Sequence, residues 1–163
     1  MEAAYRENVN LILAAYGSAW DLGPDGLLHR VLPAAAQAQI IEGLESLRDR
    51  AYTSALDLYK AAREAYDARP RRDRDACSNM FDAMEAIAKI TLGLPSATFG
   101  NCTNELRTRN YFTPDIIAIL ERINALRNHC FGHGMTTPFV LTPPEVDFAY
   151  LSCVGGIILF ART

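Results

Sequence analysis

From Ile40 to Tyr66, the residues Ile40, Leu44, Leu47, Ala51, Ala55, Leu58, Ala62 and Tyr66 recur in steps of 4-3-4-4-3-4-4. A strand alternates with period two and cannot keep such a series on one face, whereas a helix does so along its whole length. The eleven-residue repeat also matches the pitch of a nearly straight helix. The spacing therefore predicts one long helix from about residue 34 to 67, with Pro33 well placed at its first turn. Its single weak point is Gly43, which costs on the order of 1 kcal/mol relative to alanine. A spine of this kind needs other helices to cover its apolar stripe.

The flanking sequence supplies them. Tyr5, Val9, Ile12 and Tyr16 predict an amphipathic helix over about 2–17, broken by Gly17, Gly23, Pro24 and Gly26. Trp20 and Leu22 fall in this break and are expected to dock the loop onto the body. A short apolar piece, Leu27 to Leu32, carries His29, read as structural. Arg69-Pro70-Arg71-Arg72-Asp73-Arg74-Asp75 reads as a solvated connection, because aspartates interleave the arginines, with a small basic patch able to touch a phosphate backbone as the alternative. Cys77, Met80, Phe81, Met84, Ile87, Ala88 and Thr91 mark a helix over about 75–92. Asp82 and Glu85 lie on its polar side, as surface charges or as acidic partners for an arginine elsewhere. Gly93, Pro95, Gly100 and Asn101 predict a loop, followed by a short helical piece around Asn104 to Thr108.

Thr113-Pro114-Asp115 is a helix start: a capping hydroxyl, a proline at the first position, then an acid favoured by the dipole. Ile116, Leu120, Ile123, Leu126 and Cys130 form the stripe expected to be buried. Gly132 and Gly134 end the pattern, and Met135 to Leu141 is read as a loop with Pro138. Thr142-Pro143-Pro144-Glu145 has the capping-box pattern and opens a last helix to about residue 161. That helix is apolar nearly all round, so it is expected to be buried or to face a partner. Gly155-Gly156 allows another backbone to approach it closely. The expected fold is an all-α bundle of four to five main helices of up-down type over 36–163, with an N-terminal helix-and-loop extension, 1–35, packed on it.

Composition narrows the function classes. The chain of 163 residues is long enough for one domain with a real core, and half of it is hydrophobic. A net charge of −3 argues against a general nucleic-acid binder but leaves room for a local basic patch. The four cysteines, Cys77, Cys102, Cys130 and Cys153, are scattered without a CxxC pair and read as reduced thiols. The start, Met1-Glu2-Ala3-Ala4-Tyr5-Arg6-Glu7, lacks a signal-peptide layout, and the apolar run Phe148–Ala161 is shorter than the ~20 residues of a spanning helix. The expectation is a soluble, cytoplasmic protein with no membrane partner.

The chemistry-bearing stretch is Arg127-Asn128-His129-Cys130-Phe131-Gly132-His133-Gly134. On an uninterrupted helix Arg127 and His133 would lie well apart in azimuth, so they converge only if the helix unwinds before His133. Gly132 and Gly134 make that turn cheap, and they are also what an ordinary helix terminus looks like. Histidine titrates near neutrality and can take the proton of a ribose 2′-OH or supply one to the departing 5′-oxygen. Arginine keeps its charge and can stabilise a crowded phosphate. Asn128 can hydrogen-bond a phosphate oxygen or orient its neighbours. These types suit metal-independent RNA cleavage. His129 and His133 are four apart, but a zinc site would need the helix to persist through Gly132 and lacks a third ligand, so no metal and no cofactor are expected. A nucleophile pair of Cys130 with a histidine has no supporting context.

Arg127-Asn128 followed by His133 in a Gly-His-Gly setting resembles the Arg-polar-x(4–6)-His motif of HEPN domains, most closely the abortive-infection C-terminal branch. The resemblance covers about residue 36 to the C-terminus, including the order of the helices. It implies a small helical bundle that homodimerises through the motif face, so that motif residues of two protomers form a composite ribonuclease site. It assigns the catalytic roles to Arg127, Asn128 and His133, with RNA as substrate and a role in antiphage defence or as a toxin with an antitoxin partner. Some HEPN toxins carry a modifiable tyrosine two residues after the motif histidine, where this chain has Met135. Other members are catalytically silent dimerisation, adaptor or nucleotide-binding modules, which is the alternative the resemblance leaves open.

Overall fold

The computed structural model describes residues 2–16, 20–23, 26, 28–30, 34–48, 50–68, 70–130 and 141–163. Pro33, Arg69 and the run 131–140, with Gly132, His133, Gly134, Met135 and Pro138, lie outside the described residues. So do Gly17, Pro24, Leu27, Leu32 and the side chain of His29. The protein is an all-α helical bundle. Its described elements are α1 (Glu2–Ala15), β1 (Trp20–Leu22), β2 (Leu28–Arg30), α2 (Ala34–Ser46), a 3-10 turn (Arg50–Tyr52), α3 (Thr53–Asp67), α4 (Asp73–Leu92), α5 (Phe99–Thr108), α6 (Pro114–Cys130) and α7 (Pro143–Ala161). They fall into two compact units, Met1–Ala38 and Gln39–Thr163.

In the first unit α1 packs on a two-stranded antiparallel ribbon, with Trp20 opposite Arg30 and Leu22 opposite Leu28. No strand was expected from the sequence, because three-residue strands are too short to show an alternation. The side chain of Asn10 replaces a strand partner: its Oδ1 accepts from Leu22 N at 2.6 Å and its Nδ2 donates to Leu22 O at 3.1 Å. This bidentate bond satisfies backbone groups that the ribbon edge leaves open.

In the second unit the predicted spine is two helices. α2 tightens at its end, where Leu47 N and Arg48 N donate to the carbonyls three residues back, Leu44 O and Glu45 O. Tyr59 Oη then donates to Ile40 O at 2.6 Å, across 19 residues. On one continuous helix those positions would be ~28 Å apart, so the chain turns back. The 4-3 pattern did not reveal the turn because Leu47, fully buried at the bend, keeps its phase. Ala51, expected on the stripe, is exposed, and Tyr59 occupies the core instead.

α3 and α4 form the most extensive contact, lined by the buried alanines Ala55, Ala62 and Ala65 on α3 and Ala76, Ala83 and Ala88 on α4. α4 begins at Asp73 and ends in Gly93, whose φ of 70° lets Leu94 N reach Lys89 O at 2.8 Å, a left-handed cap. α5 is ten residues long, double the expected piece, with Thr98 Oγ1 capping Asn101 N at its start.

α7 lies along α4 and runs in the same direction. Cys77 Sγ donates to Val146 O at 3.7 Å near the start, and Thr91 Oγ1 donates to Phe160 O at 3.4 Å near the end. Gly156 is where the two come closest, since a Cβ there would lie 2.3 Å from Met84 Sδ. Of all the described helices, α7 alone is long and apolar enough to cross a membrane by length and composition. It is 19 residues long, more than the apolar run suggests, and in the fold it is a core helix. It buries one stripe, Val146, Ala149, Tyr150, Cys153, Val154, Ile157 and Phe160, rather than its whole circumference. An aromatic chain closes that core, with Phe99 5.2 Å from Phe81 and 6.5 Å from Phe160 between ring centres.

The arginine-rich connection is not simply solvated. Arg71 is mostly buried, ion-paired to Asp73 and, at 2.9 Å, to Asp147, and its guanidinium carbon lies 5.3 Å from the Tyr66 ring centre. Tyr66 donates to the same Asp147 at 2.7 Å and stacks on Tyr150 at 4.3 Å. Arg72 pairs with Glu64 and Asp75 at the surface. The arginines of this segment with assigned partners are neutralised locally rather than gathered into a phosphate-binding patch.

Candidate functional site

α6 begins as the sequence indicated: Thr113 O accepts the first helical bond from Ile117 N at 3.2 Å, and Asp115 sits in the first turn. Its buried face is shifted from the expected one. Ile117 and Leu120 are buried, whereas Ile116, Ile123, Leu126 and Cys130 are half-buried and Ile119 is 56% exposed. The second half of α6 therefore stands partly off the core. It runs antiparallel to α4, since Leu120 lies close to Gly156 at the Met84 level and Arg127 reaches Asp82.

Arg127 is the centre of this region. Its guanidinium carbon lies 5.3 Å from the centre of the Phe81 ring on α4, and its Nη2 reaches Asp82 Oδ1 at 3.5 Å. Nη1 approaches Asn128 Oδ1 at 3.4 Å. Both bonds are at the long limit of hydrogen-bond geometry. The Nε is buried and has no partner among the described residues. The guanidinium is thus placed by an aromatic face and an acid, and the described residues leave most of its donor capacity unspent. Asp82 is an arginine partner, one of the two roles the sequence allowed; Glu85 instead pairs with Lys89 at 2.8 Å.

Asn128 and His129 are exposed on the last turn of α6. Arg127 and His129 are the basic residues of that turn, where the helix dipole favours positive charge. His133 and both motif glycines lie outside the described residues, so the structure describes two of the three expected catalytic residues, Arg127 and Asn128, which touch each other.

A small apolar cleft of ≈20 Å³ lies beside Arg127 between α4, α6 and α7, lined by Cys77, Phe81, Ile123, Leu126, Phe148, Ala149, Ser152 and Cys153. Ile123, Leu126, Phe148 and Ser152 also line an open groove with Ala118, Ile119 and Arg122. Phe148 is 71% exposed. In the sequence Phe148 reads as one residue of a helix apolar nearly all round, which does not single out its exposed position. The available signal was Ser152, one turn on, and Gly155 after it, which mark a face of α7 that the core does not fill.

The thiols near the cleft are poor nucleophiles. Burial pushes the Cys77 thiol up to about 12, and burial, with Glu145 nearby, raises that of Cys130. Burial raises Cys153 further. This gives no support to a Cys130–histidine nucleophile, which requires an activated thiolate. Among the described residues no three His, Cys, Asp or Glu side chains gather where they could hold a metal ion. No family model, no curated protein and no solved structure matches the chain.

Proposed function

We propose that this chain is a HEPN-type, metal-independent endoribonuclease that acts as a homodimer, with a cellular role as an antiphage or toxin effector. The observation that carries the reading is Arg127: a guanidinium held against an aromatic ring at the end of a helix, with a buried Nε that has no partner among the described residues, beside a small apolar cleft. In this reading the ribose 2′-oxygen forms a bond to phosphorus, the bond to the 5′-oxygen breaks, and a 2′,3′-cyclic phosphate results. His133 carries the proton to or from these oxygens, Arg127 stabilises the charge on the phosphate, and Asn128 bonds a phosphate oxygen.

The groove beside Arg127 supports the dimer. Phe148 and Ile119 are large apolar side chains left in water by a single chain, and Ala118 and Ile123 extend the patch. A second copy seated there would cover them and bring two copies of the motif together.

The test is to incubate the purified protein with labelled RNA in the presence of EDTA. Products with 2′,3′-cyclic ends, lost in His133→Ala and Arg127→Ala, support the assignment. A folded protein that cleaves none of a varied RNA set, with and without extract from infected cells, overturns it. A second reading, a non-catalytic helical dimerisation module, is favoured by one observation: the contacts of Arg127 with Phe81 and Asp82 are also those of a purely structural arginine. In that reading Arg127→Ala disturbs stability and self-association, and there is no cleavage to lose.

A further inference from the structure

The open groove between α6 and α7, inside the second unit, is not uniformly apolar. Ile119, Ile123 and Leu126 line it from α6 and Phe148 from α7, while Arg122 and Ser152 add polar groups from the same two helices. Its volume is ≈400 Å³, within the ~300–1,000 Å³ of sites that take a small molecule. Arg122 is exposed and has no carboxylate partner among the described residues, whereas Arg107 and Arg109 at the end of α5 are paired with Glu121 and Glu105. At ~100° per residue, Arg122, Leu126, Ile123 and Arg127 stand at azimuths of about 0°, 40°, 100° and 140° around α6. The two arginines therefore flank opposite edges of one apolar strip, ~7.5 Å apart along the axis.

We infer that this groove binds one nucleotide of a single RNA strand, next to the phosphate held by Arg127, with its base stacked on Phe148 and its phosphate on Arg122. The inference rests on the ribonuclease reading of Arg127 and adds the residues that hold the strand. Three observations select a nucleotide as the occupant. Phe148 is 71% exposed and offers an open aromatic face, the platform on which single-stranded bases stack whatever their sequence. Arg122 brings a charge that a phosphate neutralises, whereas an apolar protein surface pressed over it would desolvate it without a counter-charge. Finally, Arg122 and Arg127 are close enough along α6 for neighbouring phosphates of one strand to reach both. In the dimer proposed above the groove lies at the seam, so the strand passes between the two copies and a base on Phe148 is screened from water. Stacking is tolerant of base type, so the groove fixes the position of the strand rather than its sequence.

The test is binding of a labelled single-stranded RNA to the full chain carrying His133→Ala, followed by fluorescence anisotropy over a range of salt. Phe148→Ala, Phe148→Tyr, Phe148→Leu and Arg122→Gln are compared in that background, with circular dichroism to check the fold and sedimentation to check the oligomeric state. Phe148→Ala is expected to weaken binding about tenfold, Phe148→Tyr to retain it, and Phe148→Leu to lose it, because the ring and not its apolar bulk is used. Arg122→Gln is expected to reduce the slope of log affinity against log salt by about 0.7, the loss of one phosphate contact on a single strand. RNA that is bound equally by Phe148→Ala and Arg122→Gln overturns the groove inference and leaves the ribonuclease reading standing. Full affinity in Phe148→Leu, or affinity lost only in step with the dimer, also overturns it and assigns the groove to the second copy. A strand held through Phe148 and Arg122, in a chain whose wild type cuts no RNA, supports the groove and removes the ribonuclease reading. A folded protein that binds no RNA overturns both.

Discussion

Arg127 lies over Phe81, its guanidinium carbon 5.3 Å from the ring centre. The neighbouring residue on α4, Asp82, is half-exposed and reaches the same guanidinium at 3.5 Å. The two partners contribute unequally. A partly desolvated cation over an aromatic face is worth about 0.5–2 kcal/mol, whereas a long, solvated ion pair is worth about 0–1 kcal/mol. The ring therefore fixes where the arginine sits, and the acid trims its field.

Asp82→Asn separates these roles. The substitution removes a negative charge beside Arg127 and leaves the ring in place. The melting temperature is expected to change by no more than about 4 °C, as befits a pair worth about 1 kcal/mol in a chain of this length. If the site binds RNA, affinity at low salt rises by about two- to fivefold. Phe81→Leu is expected to act oppositely, with a larger loss of stability and weaker binding. A large thermal loss in Asp82→Asn, with binding unchanged, would show that Asp82 is a structural support and not a brake on the arginine.

Tyr59→Phe probes the turn between α2 and α3. Tyr59 is buried, and its Oη bonds Ile40 O across the bend. Ile40 O keeps its place in the α2 ladder, so the loss is one hydrogen bond, about 1 kcal/mol, or roughly 2–4 °C in melting temperature. Proteolysis should then show earlier cleavage near Arg48, where the chain bends. An unchanged melting curve and cleavage pattern would mean that the bond does not hold the hairpin.

This bend marks the boundary of what the sequence revealed. Helix existence was legible almost everywhere, because the 3.6-residue period survives in every segment from α1 to α7. The end signals were legible too: Thr142 with Glu145, and Gly93 in its left-handed cap. A turn with no proline or glycine left no mark, since Leu44, Leu47 and Ala55 keep phase across it. Nor does periodicity say which apolar residues stay in water. Tyr16, Ile119 and Phe148 look like core in one dimension and are exposed in three. At the site, Arg127 and Asp82 were both visible as charges of the right type. The Phe81 platform was not, because Phe81 reads simply as part of a core stripe.

Gly156→Ala tests the close approach of α7 to α4. The added Cβ would fall 2.3 Å from Met84 Sδ and 3.1 Å from Met84 Cγ. Alanine is the better helix former by about 1 kcal/mol, which partly offsets the clash. Met84 is fully buried, so it has little room to yield. The net expectation is a loss of about 1–2 kcal/mol, roughly 2–8 °C in melting temperature. Met84→Ala in the same background should recover part of the clash while adding a cavity cost. Gly155→Ala, whose Cβ meets only the side-chain Nε2 of Gln39 at 3.3 Å, is the control and should be nearly neutral. If Gly156→Ala proves as mild as Gly155→Ala, the two helices are not in tight contact there.

The start of α7 gives a pH-dependent prediction. Glu145 accepts from both the hydroxyl and the backbone N–H of Thr142, each at 2.7 Å, and the hydroxyl followed by the backbone bond lowers its pKa. A depressed carboxyl pKa means that the folded state binds its proton less readily than the unfolded chain does. Its stabilisation is therefore present above the unfolded carboxylate pKa of about 4.3 and is lost as pH falls through the lower folded value. Thr142→Ala removes the hydroxyl bond and should lower the melting temperature at neutral pH. The gap from wild type should narrow as pH drops below about 4.3, because protonated Glu145 no longer accepts those bonds. Melting curves of both proteins from neutral pH into the acid range measure that gap directly. A gap that stays constant across the range would assign the loss to the helix start alone, with no contribution from the ionised glutamate.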